Sequence, residues 1–154
     1  WVRRDIKWIM AYLHVAHDVV IGNHTILANN TRLAGYVHVD DWVIFGGFTV
    51  VHQFVRVGAH AMTAMNSLLF ADLPPYVMAQ GQPAGARSMN FEGLRRRGFS
   101  KEVLLALRRA YKVIYRQGLT TEQAVEELEK AYSDIPEVTP LIDSLRGADR
   151  GIIR

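Results

Sequence analysis

The chain has 154 residues, 49% of them apolar, a net charge of only +3 and no cysteine. That is one ordinary domain's length with enough apolar content for a core, and it excludes disulfides, thiolate zinc sites and a thiol nucleophile. No run of about 18 uncharged apolar residues occurs, and Trp1–Lys7 mixes charged with apolar residues unlike a signal sequence, so a cytoplasmic chain without a transmembrane segment is expected.

The first predicted element is a repeat of period six. Stepping by six from Ile9 gives Ile9, Val15, Ile21, Leu27, Leu33, Val39, Phe45, Val51, Val57, Thr63 and Leu69, all large and apolar but one. The next position in each hexad is mostly small or turn-forming, as at Ala16, Gly22, Ala28, Ala34 and Gly46, and the fifth is small or β-branched, as at Val19, Thr25, Thr31 and Val37. One hexad then forms one side of a triangular coil. The first residue fills the axis, the second permits the corner and the fifth packs inward. Residues 18 apart stack about 4.8 Å apart as neighbouring parallel strands do. The frame fails upstream at Arg3 and ends at Asp72–Pro75, leaving fewer than four coils. An open end after so few turns would expose backbone and apolar surface, so further coils are expected before this segment and self-association is expected of the prism.

Beyond residues 81–83 the spacing turns helical, which divides the chain into a β-helix over 1–80 and a helical domain over 81–154. Ser100 is a candidate N-cap for a helix with Val103, Leu104, Leu107, Tyr111, Ile114 and Tyr115 on its apolar face, ending at Gly118. Thr120 and Gln123 read as a capping box for a second helix through about Ala131, and a third, shorter helix covers Leu141 to Leu145. The three form an antiparallel cap. Arg95, Arg96, Arg97, Lys101, Arg108, Arg109, Lys112 and Arg116 share one stretch with a single acid, Glu102, which points to an anionic partner or, for the later members, a solvated helix face.

Stacking turns the repeat into a map of neighbours. His17, Gly35, Gln53 and Ala71 share one ladder, and Ala16, Ala34, His52 and Phe70 the ladder beside it. That edge gathers an imidazole, an amide and backbone N–H groups, the parts of an acyl-transfer site. His14, His17 and Asp18 form a cluster in which the carboxylate can orient an imidazole. His24 and His60, in a ladder with Trp42, and His38 read as exposed corner residues. A zinc enzyme of the γ-carbonic-anhydrase type, using His14, His17 and His52, is a second reading, although His14 and His17 are three apart where that family spaces paired ligands five apart. A non-catalytic scaffold is a third, and it leaves the arginine triplet unexplained.

The strings HVAHDV (14–19), IGNHTILANN (21–30), LAG (33–35), VHQF (51–54), DLPPYV (72–77), AQG (79–81) and NFEGLRRRGFS (90–100) resemble the acyl-carrier-protein–UDP-N-acetylglucosamine O-acyltransferases of lipid A biosynthesis, hexapeptide-repeat enzymes, over Trp8 to the last residue. The resemblance implies a left-handed parallel β-helix with a C-terminal helical domain, a homotrimer, and transfer of a 3-hydroxyacyl chain from acyl carrier protein to the 3-hydroxyl of UDP-N-acetylglucosamine. It implies no metal, no cofactor of the chain's own and no nucleic acid. His17 falls on the general base, Asp18 on the residue that assists it or contacts the sugar, and Gly35 on the oxyanion donor. His14, His52 and Gln53 fall on substrate contacts, Asn90, Glu92 and Arg97 on residues around the nucleotide, and Arg96 on one that binds carrier or substrate. Met65 falls on the acyl-chain ruler, and at about 0.8 kcal/mol per buried CH₂ a closed groove end predicts a donor near ten carbons. Tyr36 departs from the family, which has a histidine after Leu-Ala-Gly. The family's early coils, with an acidic sugar contact, are expected ahead of Trp1.

Overall fold

The computed structural model describes residues 8–154; the opening stretch, including Arg3, lies outside the described residues. Each hexad contributes one two-residue strand: β1 (Trp8–Ile9), β2 (His14–Val15), β3 (Val20–Ile21), β4 (Ile26–Leu27), β5 (Arg32–Leu33), β6 (His38–Val39), β7 (Ile44–Phe45), β8 (Val50–Val51), β9 (Arg56–Val57), β10 (Met62–Thr63) and β11 (Leu68–Leu69). They pair in parallel at a spacing of 18 residues, as in Trp8 with Ile26 and His14 with Arg32. Three sheets result, ordered β1-β4-β7-β10, β2-β5-β8-β11 and β3-β6-β9, the sides of a prism.

The first and fifth hexad positions point inward. From Val19 to Leu69 they are buried, and each aliphatic side chain so enclosed contributes roughly 1.5–3 kcal/mol of burial. Axial Thr63 is accommodated because its hydroxyl pairs with Thr49 Oγ1 at 2.8 Å and accepts from Gly46 N at 3.2 Å.

The corner itself lies one step later than the sequence places it. The turn occupies the third and fourth positions, and the fourth residue is left-handed in the ten hexads that begin at Ile9 to Thr63, from Tyr12 (φ 61°) through Tyr36 (φ 61°), Trp42 (φ 64°) and Phe54 (φ 67°) to Asn66 (φ 67°). Such a conformation costs a non-glycine residue about 1–2 kcal/mol. The stack offsets it, because from Asn30 to Asn66 each fourth-position N–H donates to the coil before, as in Tyr36 to His17 O (3.2 Å) and Trp42 to Asn23 O (2.9 Å). Small second-position residues serve close approach between coils: a Cβ on Gly46 would lie 2.6 Å from Met65 N.

The winding also runs past Pro75. The last coil is two residues short, so Val57 bridges Leu73 and Met62 pairs with Met78, each 16 residues on. Gly58 makes this possible, since a Cβ there would meet Pro75 N at 2.4 Å. Strand β12 (Val77–Gly81) joins the first sheet and returns antiparallel as β13 (Ala84–Met89), so the expected division at residue 80 falls within a hairpin. Helix α1 (Phe91–Arg96) follows, then α2 (Lys101–Tyr115) capped by Ser100, α3 (Thr121–Tyr132) with the Thr120–Gln123 capping box, a 3-10 turn at Pro136–Val138, and α4 (Thr139–Arg146). The chain end returns to the prism, where Ile153 N donates to Asp72 O at 2.8 Å and Tyr115 Oη donates to Ile153 O at 2.8 Å. Prism and helices thereby share one continuous apolar core. Among the described residues no helix is long and apolar enough to cross a membrane.

Candidate active site

One corner, between the β2-β5-β8-β11 and β3-β6-β9 sheets, carries His17, Asp18, Gly35 and Gln53 on successive turns. His14 on β2 and His52 just past β8 flank it. The His17 Nδ1 lies 3.0 Å from Asp18 Oδ2. An ionised carboxylate only accepts, so the imidazole proton sits on Nδ1 and the Nε2 lone pair is free. The two side chains are 71% and 62% exposed, so this pair contributes little to stability and leaves the imidazole open to a substrate.

Gly35 sits directly beside that ring. A Cβ there would be 3.0 Å from His17 Cε1 and 3.1 Å from Nε2. At the other corners the equivalent N–H groups of Ala11 and Asn23 donate to the side chains of Asn29 and Asp41 one coil on, at 3.1 and 2.7 Å. Among the described residues the Gly35 N–H has no such acceptor, and so a donor stands unengaged on the residue next to the imidazole. Above it Tyr36 meets the His17 ring edge-on at 5.2 Å and stacks on Phe54 at 4.9 Å.

The remaining predicted residues lie elsewhere on the chain. Asn90, Glu92, Arg96 and Arg97 line a cleft of about 440 Å³ whose floor is Ile44, Met62, Met78 and Met89. Asn90 is buried as the N-cap of α1, accepting from Gly93 N at 3.2 Å. Glu92 pairs with Arg95 at 2.8 Å and Arg96 at 3.3 Å, so the acid that balances the arginine triplet precedes it. Met65, 69% exposed, lies on the third corner, two prism sides past Gln53, and not along the His17 edge. Within one chain the predicted site residues therefore fall into three separate groups.

The structure corrects the reading of three histidines and adds a site element. His60 is half-buried, not an exposed corner residue: it accepts from Arg97 Nη1 at Nδ1 over 2.8 Å, and it lies between Trp42 and Tyr76 with Phe99 roughly perpendicular to it. Burial, and then the Arg97 guanidinium, pull it down to about 4, against a smaller pull from Asp41. Arg97 also lies 5.0 Å over the Trp42 ring. His24 stacks on Trp42 at 4.3 Å, and His38 bonds Asp40 Oδ1 at 3.0 Å. The shared ladder of His24, Trp42 and His60 was the signal, but the partner that closes it comes from 37 residues beyond His60. Among the described residues of one chain no three His, Asp or Glu side chains lie together as metal ligands would.

Residues 72–153 match the family described as Udp N-acetylglucosamine O-acyltransferase, Domain 2. The acyl-[acyl-carrier-protein]–UDP-N-acetylglucosamine O-acyltransferases of Pseudomonas paraeruginosa and Pseudomonas entomophila are each 59% identical over 97% of this chain. The chain spans 58% of the length of each. Among solved structures, LpxA from Acinetobacter baumannii superposes with a TM-score of 0.92 at 44% identity, covering 96% of this chain and 58% of that one. The Francisella novicida UDP-N-acetylglucosamine acyltransferase gives 0.91 at 39%, covering 95% and 54%.

Proposed function

The chain belongs to the UDP-N-acetylglucosamine O-acyltransferase family, and from that premise we propose that it carries the catalytic corner for transfer of a 3-hydroxyacyl group from acyl carrier protein to UDP-N-acetylglucosamine, in lipid A biosynthesis. The observation that supports this most is the His17 imidazole, its Nδ1 tied to Asp18 and its ring beside Gly35, whose N–H has no acceptor among the described residues. In the reaction Nε2 takes the proton of the glucosamine 3-hydroxyl as that oxygen attacks the thioester carbonyl. Negative charge grows on the carbonyl oxygen, where the Gly35 N–H donates. The C–S bond then breaks, and the imidazolium returns its proton to the departing thiolate. Positioned bases of this kind contribute about 10²–10⁴ in rate, and an oxyanion donor about 10²–10³.

His14, His52 and Gln53 contact substrate at the same edge, and Asn90, Glu92, Arg96 and Arg97 form the nucleotide side, where Arg–phosphate bonds can be bidentate. The groups lie on different corners of one prism, so a homotrimer, in which corners of neighbouring chains meet, unites them. Met65 closes the hydrocarbon groove from such a neighbour. The setting is the cytoplasm, and the chain brings no cofactor of its own, the acyl carrier protein being donor.

The test is acyl transfer from 3-hydroxyacyl carrier proteins of several lengths to UDP-N-acetylglucosamine. His17→Ala lowers turnover by about 10²–10⁴ and a chelator changes nothing. Met65→Gly shifts preference toward longer donors. Activity that survives in His17→Ala, or that the chelator removes, overturns the reading.

A further inference from the structure

The His17 ring is 71% exposed, so no pocket wall fixes its plane. Its bond to Asp18 decides which nitrogen carries the proton, but the two residues are adjacent in sequence and can swing together. Two further contacts limit that swing, the Gly35 backbone on one side and the Tyr36 ring at 5.2 Å and 87°. Tyr36 is itself held, because it stacks on Phe54 with 6° between the planes, and Arg150 lies 5.1 Å over Phe54. The 4.9 Å spacing of the Tyr36 and Phe54 rings matches the rise of one coil, about 4.8 Å, so the stack runs along the prism axis. His17, one coil before Tyr36 and perpendicular to it, presents its edge to the other Tyr36 face, the favoured arrangement for such pairs.

We propose that Tyr36, backed by Phe54, is a positioning residue that holds the His17 imidazole in the one orientation and tautomer that leave Nε2 open to a substrate hydroxyl. This rests on the reading of His17 as the base. The ring does the work, since the Tyr36 hydroxyl makes no hydrogen bond among the described residues. The phenol therefore supplies a contact surface and not another proton carrier.

The experiment is ¹⁵N spectroscopy of the imidazoles in the full chain near pH 8, with His17 assigned through His17→Gln. The parent and Tyr36→Phe show His17 as a single tautomer protonated at Nδ1. Tyr36→Leu, with folding verified by circular dichroism, lowers that tautomer's excess by about two- to tenfold, and the turnover number falls by a similar factor while KM for UDP-N-acetylglucosamine holds. A Tyr36→Leu spectrum identical to the parent's, or a Tyr36→Phe spectrum like that of Tyr36→Leu, overturns the proposal. The ring spectra decide the positioning role whether or not the chain turns over, so its failure is distinct from failure of the acyl-transfer reading.

Discussion

At the scale of single residues the fold sets aromatic and imidazole rings on the left-handed corner position and then uses them twice. On one edge the ring column ends in an open imidazole, His17, and on another it half-buries His60 beneath Arg97. The same residue type thus meets opposite electrostatics. His60 accepts from a cation and stays neutral, with its pKa pulled from 6.5 to about 4. The unfolded chain takes up a proton as pH falls through about 6.5 that the folded chain refuses until about 4, so folding stability is full above that window and declines within it. Urea unfolding at pH 7 and pH 5 should show a loss of about 1–2 kcal/mol, allowing for partial solvent screening. His60→Asn, which tolerates the left-handed corner and has no titratable ring, should lack that loss. Asp72, whose carboxyl is raised by burial, acts with the opposite sign but is common to both chains and cancels in the difference. Equal pH dependence in the two proteins would show that His60 is not held neutral.

At the scale of elements the repeat was legible because its period is itself the contact rule: a six-residue spacing of Ile, Leu, Val and Phe names the axis and the 18-residue register together. Ser100, Thr120 and Gln123 were legible for the same reason, since a cap is a local hydrogen bond. The corner was not, because Tyr, Trp and Phe ordinarily avoid positive φ and only the stacked neighbour makes them acceptable there. The hairpin after Tyr76 hid behind Gly81 and Pro83, which read as an ending, and α1, at six residues, is too short to show a period. His17 and Gly35 were read from stacking, whereas the His60–Arg97 bond joins elements that no periodicity connects. The same distinction redirects the basic stretch. Glu92 and His60 occupy the Arg95–Arg97 triplet, while Arg87, Arg108, Lys112 and Arg116 surround a cavity of about 400 Å³ without a carboxylate in its lining. The α2 face, more than the triplet, should therefore give the proposed encounter with an acidic carrier protein its salt dependence. Replacing Arg108 and Lys112 with Gln should flatten the slope of carrier affinity against ionic strength, measured by titration calorimetry. An unchanged slope would remove α2 from that interface.

At the scale of the whole molecule one prism distributes its chemistry over corners that face away from one another. His17 and Gly35 occupy one, the Asn90–Arg97 cleft adjoins the Trp42–His60 ladder of the next, and Met65 lies on the third. Apolar side chains also stay open on the prism, among them Phe48 and Phe70, each 52% exposed. A closed threefold ring would cover such surface and bring one chain's base against another's arginines. If the site is shared in this way, two inactive variants should repair each other. His17→Ala and Arg96→Ala chains, each inactive alone, are denatured together in equal amounts, refolded and assayed for acyl transfer. Random trimers leave roughly a quarter of the sites with an intact base from one chain and an intact arginine from its neighbour, and activity should return to about that fraction. A site contained in one chain would regain nothing, because every chain then carries one defect. Sedimentation of the same mixture at the trimer mass, with activity restored, would tie the chemistry to the assembly and not to the single prism.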